Sequence, residues 1–307
     1  MTAVVWRLAD YEALANLGSE YVRYAPWFPN PRVVVTELTP SDCTATNPAT
    51  NWNSTMFDGI MRDFMHAVCG PNAESGECKL SVVQQLSTMP SWMYTGGYCP
   101  DASPDCLPLD VWDTTDPFNA YAAGGELVDN TCEEMARYMG RLVAWYTVGG
   151  FTDECGHFHE SGLHYDWYGV SILNEDEHHI KPDNGQAYVQ CYDAMQREIR
   201  KQGNADIVLV GPEIAGTSGG ATKYLLYHLN ASNHDPPVAP EVSSYHWGTS
   251  ASNSSAEAFL TSWEKTYNDP EGSIQMAEKL KKETGQETEM VLNEYIPFVV
   301  RTHAHYM

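Results

Sequence analysis

Tyr168-Gly-Val-Ser-Ile-Leu-Asn174-Glu175 is a short run of apolar and β-branched residues closed by a polar pair, and Met290-Val-Leu-Asn293-Glu294 ends the same way. A strand buried on both faces of a parallel sheet has this pattern, because helices cover each face and the alternation with polar residues is lost. Similar runs stand at Tyr21-Val-Arg-Tyr24, 81–87, 207–210 and 242–246. Between them the apolar period lengthens to three or four. Residues 131–148 put Met135, Met139, Leu142, Val143 and Tyr146 on one helical face before Gly149-Gly150. Residues 186–202 carry Cys191, Met195 and Ile199 before Gly203, and 272–284 run up to Gly285. Strand alternating with helix predicts an α/β chain with a parallel sheet and helical crossovers. Strand starts at Tyr168, Ile207, Val242 and Met290 leave each βα unit room for a helix and a sizeable loop, which is the layout of a barrel. No internal repeat or low-complexity tract interrupts it, so one domain over 1–307 is expected, with a Cys- and Pro-rich loop insertion around 94–128.

The composition narrows the partners. Of 307 residues, 43% are hydrophobic and 19% charged, enough apolar material for a sizeable core. Lys and Arg total 17 against 41 Asp and Glu, a formal net charge of −24. So few cations cannot neutralise a phosphate backbone or an anionic bilayer, which excludes nucleic acid and membrane as expected partners. No stretch approaches eighteen consecutive apolar residues. Nine Trp and eighteen Tyr are a heavy aromatic load, fitting either core packing or platforms for sugar rings.

The cysteines are Cys43, Cys69, Cys78, Cys99, Cys106, Cys132, Cys155 and Cys191, most of them in loop-like sequence. The spacings Cys69 to Cys78 and Cys99 to Cys106 suit disulfide staples better than metal knuckles. Asn53-Ser-Thr, Asn230-Ala-Ser and Asn253-Ser-Ser are acceptor sequons for N-glycosylation. Together these predict a secreted protein. Residues 1–18 carry neither a basic n-region nor an apolar h-region. The leader is therefore expected to be absent already, or the sequence to be a piece of a longer chain.

Two Glu at the C-terminal ends of two parallel strands would sit at the mouth of a barrel, where catalytic groups gather. Glycoside hydrolysis needs such a pair, with one carboxyl protonated to donate to the leaving oxygen and the other ionised. A separation of about 5–5.5 Å serves a covalent, retaining route and about 6.5–9.5 Å an inverting one. A single Asn-Glu is unremarkable as the start of a solvated loop; two at strand ends, about three βα units apart, favour the paired reading.

On these residues the chain resembles glycoside hydrolase family 39 and its relatives among the clan A (β/α)8 barrels. The resemblance extends to Leu86-Ser-Thr-Met-Pro-Ser-Trp92-Met, to Ser243-Ser-Tyr-His246-Trp247 and to Val22-Arg23-Tyr24, and covers about residues 21–298. It implies a TIM-barrel fold and a retaining β-glycosidase of β-xylosidase type acting on an oligo- or polysaccharide, with no cofactor and no metal. Glu175 would be the acid/base at the fourth strand and Glu294 the nucleophile at the seventh. Asn174 would bond the sugar 2-OH, and Arg23 would hold Glu294 ionised. His246 would approach the nucleophile, and Trp92 and Trp247 would wall the sugar. Asp176 stands where relatives often carry Pro. With thirteen residues after Glu294, the barrel is expected to lack its eighth strand, and only residues 3–8 are available for the first.

Two rivals remain. One is a carbohydrate-binding pseudoenzyme that keeps the cleft without turnover. The other is a metal-dependent hydrolase built on His157, His159, His164, His178 and His179, against which stands the plainer reading of a polar loop beside the cleft. Gly216-Thr-Ser-Gly-Gly220 lacks the Lys of a phosphate loop and reads as a strand-to-helix connection, and no GxSxG elbow is present.

Overall fold

The computed structural model describes residues 2–3, 8–26, 34–94, 127–175, 185–214, 220–250, 264, 267–270, 272–286 and 288–299. The elements in chain order are β1 (Thr2–Ala3), α1 (Leu8–Ala15), β2 (Tyr21–Tyr24), β3 (Glu37–Thr39), β4 (Asn51–Trp52), α2 (Thr55–Cys69) and β5 (Ser81–Leu86). There follow α3 (Glu133–Thr147), β6 (Gly150–Thr152), β7 (Phe158–Glu160), β8 (Gly169–Ile172) and α4 (Gln186–Lys201). The last are β9 (Val208–Ile214), α5 (Gly220–Leu229), β10 (Val242–Ser250), α6 (Ser273–Thr284) and β11 (Glu289–Val299). The chain is mixed α/β and forms two compact units, one of Met1–Asn174 with Gln190–Leu209, the other of Glu175–Val189 with Val210–Met307. The predicted insertion around 94–128 lies almost wholly outside the described residues, as do Cys99, Cys106, Asn253, His178 and His179.

In the first unit β1, β2, β5 and β8 pair side by side and parallel, in chain order, with Arg23 opposite Val83 and Gln85 opposite Ser171. Parallel neighbours need crossovers, and α2 and α3 supply them. The apolar stripe of α2 sinks Phe57, Met61, Phe64 and Met65, while α3 buries Met135, Tyr138, Met139, Leu142, Val143 and Tyr146. Phe64 stacks on Tyr24 at 3.8 Å between centroids and meets the edge of Tyr11, whose hydroxyl lies 2.6 Å from that of Tyr24. Burial pushes the Tyr11 hydroxyl up to about 12, so the pair is neutral.

Two small antiparallel ribbons, β3–β4 and β6–β7, decorate this unit. Asp153, in the turn between β6 and β7, accepts from the backbone amides of Thr50, Cys155 and His157 and lies 3.0 Å from His159 Nε2. Burial works to raise this carboxyl, but the His159 contact and the three amides outweigh it and hold it well below the ordinary aspartate range. Beneath the ribbons the buried Arg141 guanidinium joins Glu37, at 2.6 Å, to Glu154. Disulfides Cys43–Cys155, Cys69–Cys78 and Cys132–Cys191 cross-link the same unit. The staple expected from the Cys69 to Cys78 spacing is therefore present.

In the second unit β9, β10 and β11 are parallel and again follow chain order. Helices α5 and α6 pack against each other, and Tyr224, Leu225, Leu229, Ile274 and Ala277 on them are buried. Tyr188, His228 and His234 fill the space behind β9, and burial, with His234 nearby, holds His228 well below the ordinary imidazole range.

The six strand runs and three helices read from periodicity all fall on observed elements. Of the segment expected to supply the first strand, Thr2–Ala3 is extended among the described residues, and Leu8 already opens α1. Among the described residues the parallel strands number seven. Parallel strands in chain order joined by helices are the repeat of a (β/α) barrel, so the fold is that of a partial barrel.

Candidate active site

Strand β9 departs from regularity at Gly211-Pro212-Glu213. Its register with β10 pairs Gly211 with Ser243 and Ile214 with Tyr245, leaving Pro212 and Glu213 facing Ser244 alone. This is a β-bulge, and Pro favours it because it has no N–H to offer the ladder. A side chain at Gly211 would collide with the Tyr188 hydroxyl, which explains the glycine. The bulge turns Glu213 into a left-handed backbone conformation, φ +57°, with its side chain fully buried. The Glu213 N–H donates to Ser244 Oγ at 3.1 Å, and its carbonyl accepts the N–H of Glu175 at 3.0 Å.

Glu175 is likewise left-handed, φ +53°. Such conformations cost a non-glycine residue about 1–3 kcal/mol and persist where surrounding bonds over-determine them. Here the imidazole of His246 supplies the bond. Its Nδ1 lies 3.0 Å from Glu175 Oε1 and its Nε2 lies 2.9 Å from Glu213 Oε2. The side chain of Glu175 is 35% exposed, against 4% for His246 and none for Glu213. One carboxylate therefore faces outward, backed by a buried ring and a buried second carboxylate. On the far side of β10 the register pairs His246 with Glu294 and Trp247 with Tyr295, and skips Asn293. Both neighbours of β10 thus break register at the level of residues 244–246. The side chains of Trp247, Asn293 and Glu294 lie outside the described residues, and with them the expected carboxyl separation.

The first unit holds the other expected residues. Arg23, at the middle of β2 and 1% exposed, donates from Nη2 to Asn174 Oδ1 at 2.8 Å. The turn leading to Asn174 is pinned by Gln85, whose Nε2 donates to the Leu173 carbonyl at 2.7 Å, and by the Leu173 N–H on the Leu86 carbonyl. Trp92, in the short turn Ser91–Met93, donates its indole N–H to the Glu37 carbonyl at 3.1 Å. It lines a cavity of about 420 Å³ with Met93, Val128, Met135, Arg137 and Glu154 among its walls.

The structure brings His246 to Glu175 and Arg23 to Asn174. It also adds Glu213, which periodicity overlooked because the apolar run is cut at Val210 by Gly211-Pro212. The available signal was a lone acid set between Gly-Pro and Ile in an otherwise apolar strand. His157 and His159 turn toward Asp153, at 3.4 and 3.0 Å. Among the described residues no group of three or more His, Cys, Asp or Glu is arranged to hold a metal ion.

No protein-family model and no curated protein matches the chain. Solved structures do. A glucosidase from Croceicoccus marinus superposes with a TM-score of 0.52 at 12% identity, covering 95% of this chain and 48% of that one. A bacterial orthologue of human α-L-iduronidase gives 0.41 at 13% identity, covering 95% of this chain and 39% of the other. The chain thus spans about half the length of the glucosidase and shares its fold across that span.

Proposed function

We propose that the chain is the barrel portion of a glycoside hydrolase of family 39 type that cleaves β-glycosides, xylosides among them, with retention of configuration. The observation that carries the reading is the outward-facing Glu175 at the exit of β8, held by His246 on a strand whose other neighbour bears Glu294 in register. In the first half of the reaction Glu175 donates a proton to the glycosidic oxygen. The C1–O bond breaks with its electron pair going to that oxygen, and the Glu294 carboxylate bonds to C1. In the second half Glu175 takes a proton from water, whose oxygen displaces Glu294 from C1. Asn174, oriented by Arg23, would bond the sugar 2-OH, a contact that strengthens as positive charge builds on the ring. Trp92 and Trp247 would supply stacking surfaces. The chemistry requires no metal and no organic cofactor.

The three disulfides among the described residues are compatible with an extracellular protein, and no helix of those residues is long and apolar enough to cross a membrane. Secretion with N-glycans at Asn53 and Asn230 accords with the exposure of both side chains. Asn253 completes the proposed set.

The test is a panel of aryl β-glycosides, with product configuration followed by NMR. Glu294→Ala is expected to abolish turnover. Glu175→Gln should cut kcat/KM on phenyl glycosides by about 10²–10⁴-fold, and far less on dinitrophenyl glycosides, whose leaving group needs no proton in the first half of the reaction. Unchanged activity in both variants, or binding of oligosaccharide without turnover by the parent protein, would overturn the assignment.

A further inference from the structure

We infer that Glu213 is a positioning residue that fixes the tautomer and orientation of His246, and through it the placement of Glu175; the inference rests on reading Glu175 as the proton donor. A bare imidazole that bonds carboxylates through both nitrogens leaves open which nitrogen carries the proton. Here the two carboxylates differ in kind. Glu213 is fully buried, bulged out of β9, and held at its own amide by Ser244, so its Oε2 is a fixed acceptor 2.9 Å from Nε2. Glu175 is one-third exposed. A buried carboxylate is most stable against an N–H, so Nε2 keeps its proton and Nδ1 is the nitrogen left to deal with Glu175 Oε1. When Glu175 carries a proton, Nδ1 can accept from it; when Glu175 is a carboxylate, Nδ1 can donate as the imidazolium. The same ring position thus serves both protonation states of Glu175 without rotating. The backbone tie between the Glu213 carbonyl and the Glu175 N–H fixes the second carboxylate relative to the first.

Two readouts test this, one of them independent of turnover. In protein carrying ¹⁵N-labelled histidine, with the His246 resonances identified by their loss in His246→Asn, Nε2 is expected to be protonated at every pH at which the fold persists. A neutral ring with the proton on Nδ1 would overturn the proposal. Glu213→Leu should release the tautomer, and Glu213→Gln, which keeps shape and polarity, guards against failure of the leucine variant to fold. In kinetics, both variants should lower kcat/KM on phenyl glycosides by about ten- to a hundred-fold, Gln less than Leu. On dinitrophenyl glycosides the loss in kcat/KM, which reports the first half of the reaction, should be under threefold. An equal loss on both substrates would indicate a merely structural role and overturn the inference. A parent protein that cleaves no glycoside yet keeps Nε2 protonated would overturn the catalytic reading of Glu175 while supporting the hold of Glu213 on His246.

Discussion

Asp153 has a measurable consequence at a single side chain. Its folded-state affinity for protons is held down, so its contribution is fully present above the ordinary aspartate pKa and is lost as pH falls toward its depressed folded value. Asp153→Asn should therefore cost about 1–3 kcal/mol at pH 7, with the gap to the parent narrowing in acid, as urea unfolding at pH 7 and pH 3 would show. Glu37 runs the other way: burial raises its carboxyl despite Arg141 and Thr50, so its proton-linked contribution favours the fold at low pH and declines as pH rises. The candidate site divides along similar lines. Glu175 and Asn174 announce themselves because polar residues end an apolar run. Glu213 does not, because Pro212 imitates the end of a strand and a bulge leaves no trace in a two-residue period.

At the level of elements, strands and long amphipathic helices were readable because burial writes a period into them. Helix α3 needed only its own stripe. Helix α1 has eight residues and little amphipathic signal, and the ribbons β3–β4 and β6–β7 are two or three residues per strand. Such pieces are stabilised by partners distant in sequence, as when the amide of Thr50 donates to Asp153. For α1 the partner is Phe64 of α2, wedged against Tyr11 and Tyr24. Phe64→Ala should cost about 3–5 kcal/mol, since a fully buried ring leaves a void that neighbouring aromatics cannot close. Chemical denaturation with an unchanged m-value would check it.

For the molecule as a whole, cross-linking is the main determinant that spacing alone only partly revealed. A nine-residue separation, Cys69 to Cys78, suggests itself from sequence. Separations of 59 and 112 do not, because many pairings are combinatorially open until the fold chooses. By loop-closure entropy a bridge across roughly a hundred residues stabilises by about 4.7 kcal/mol and one across fifteen by about 3. Replacing Cys43 and Cys155 by Ser should thus lower the melting temperature more than the same change at Cys69 and Cys78, as calorimetry would measure. All eight cysteines fall within Met1–Asn174 and Gln190–Leu209. A thiol reagent, or a shift of redox milieu, consequently makes or breaks sulfur bonds within that portion of the polypeptide. The portion bearing Glu175, Glu213, His246 and Glu294 keeps the same covalent skeleton in oxidising and reducing surroundings alike.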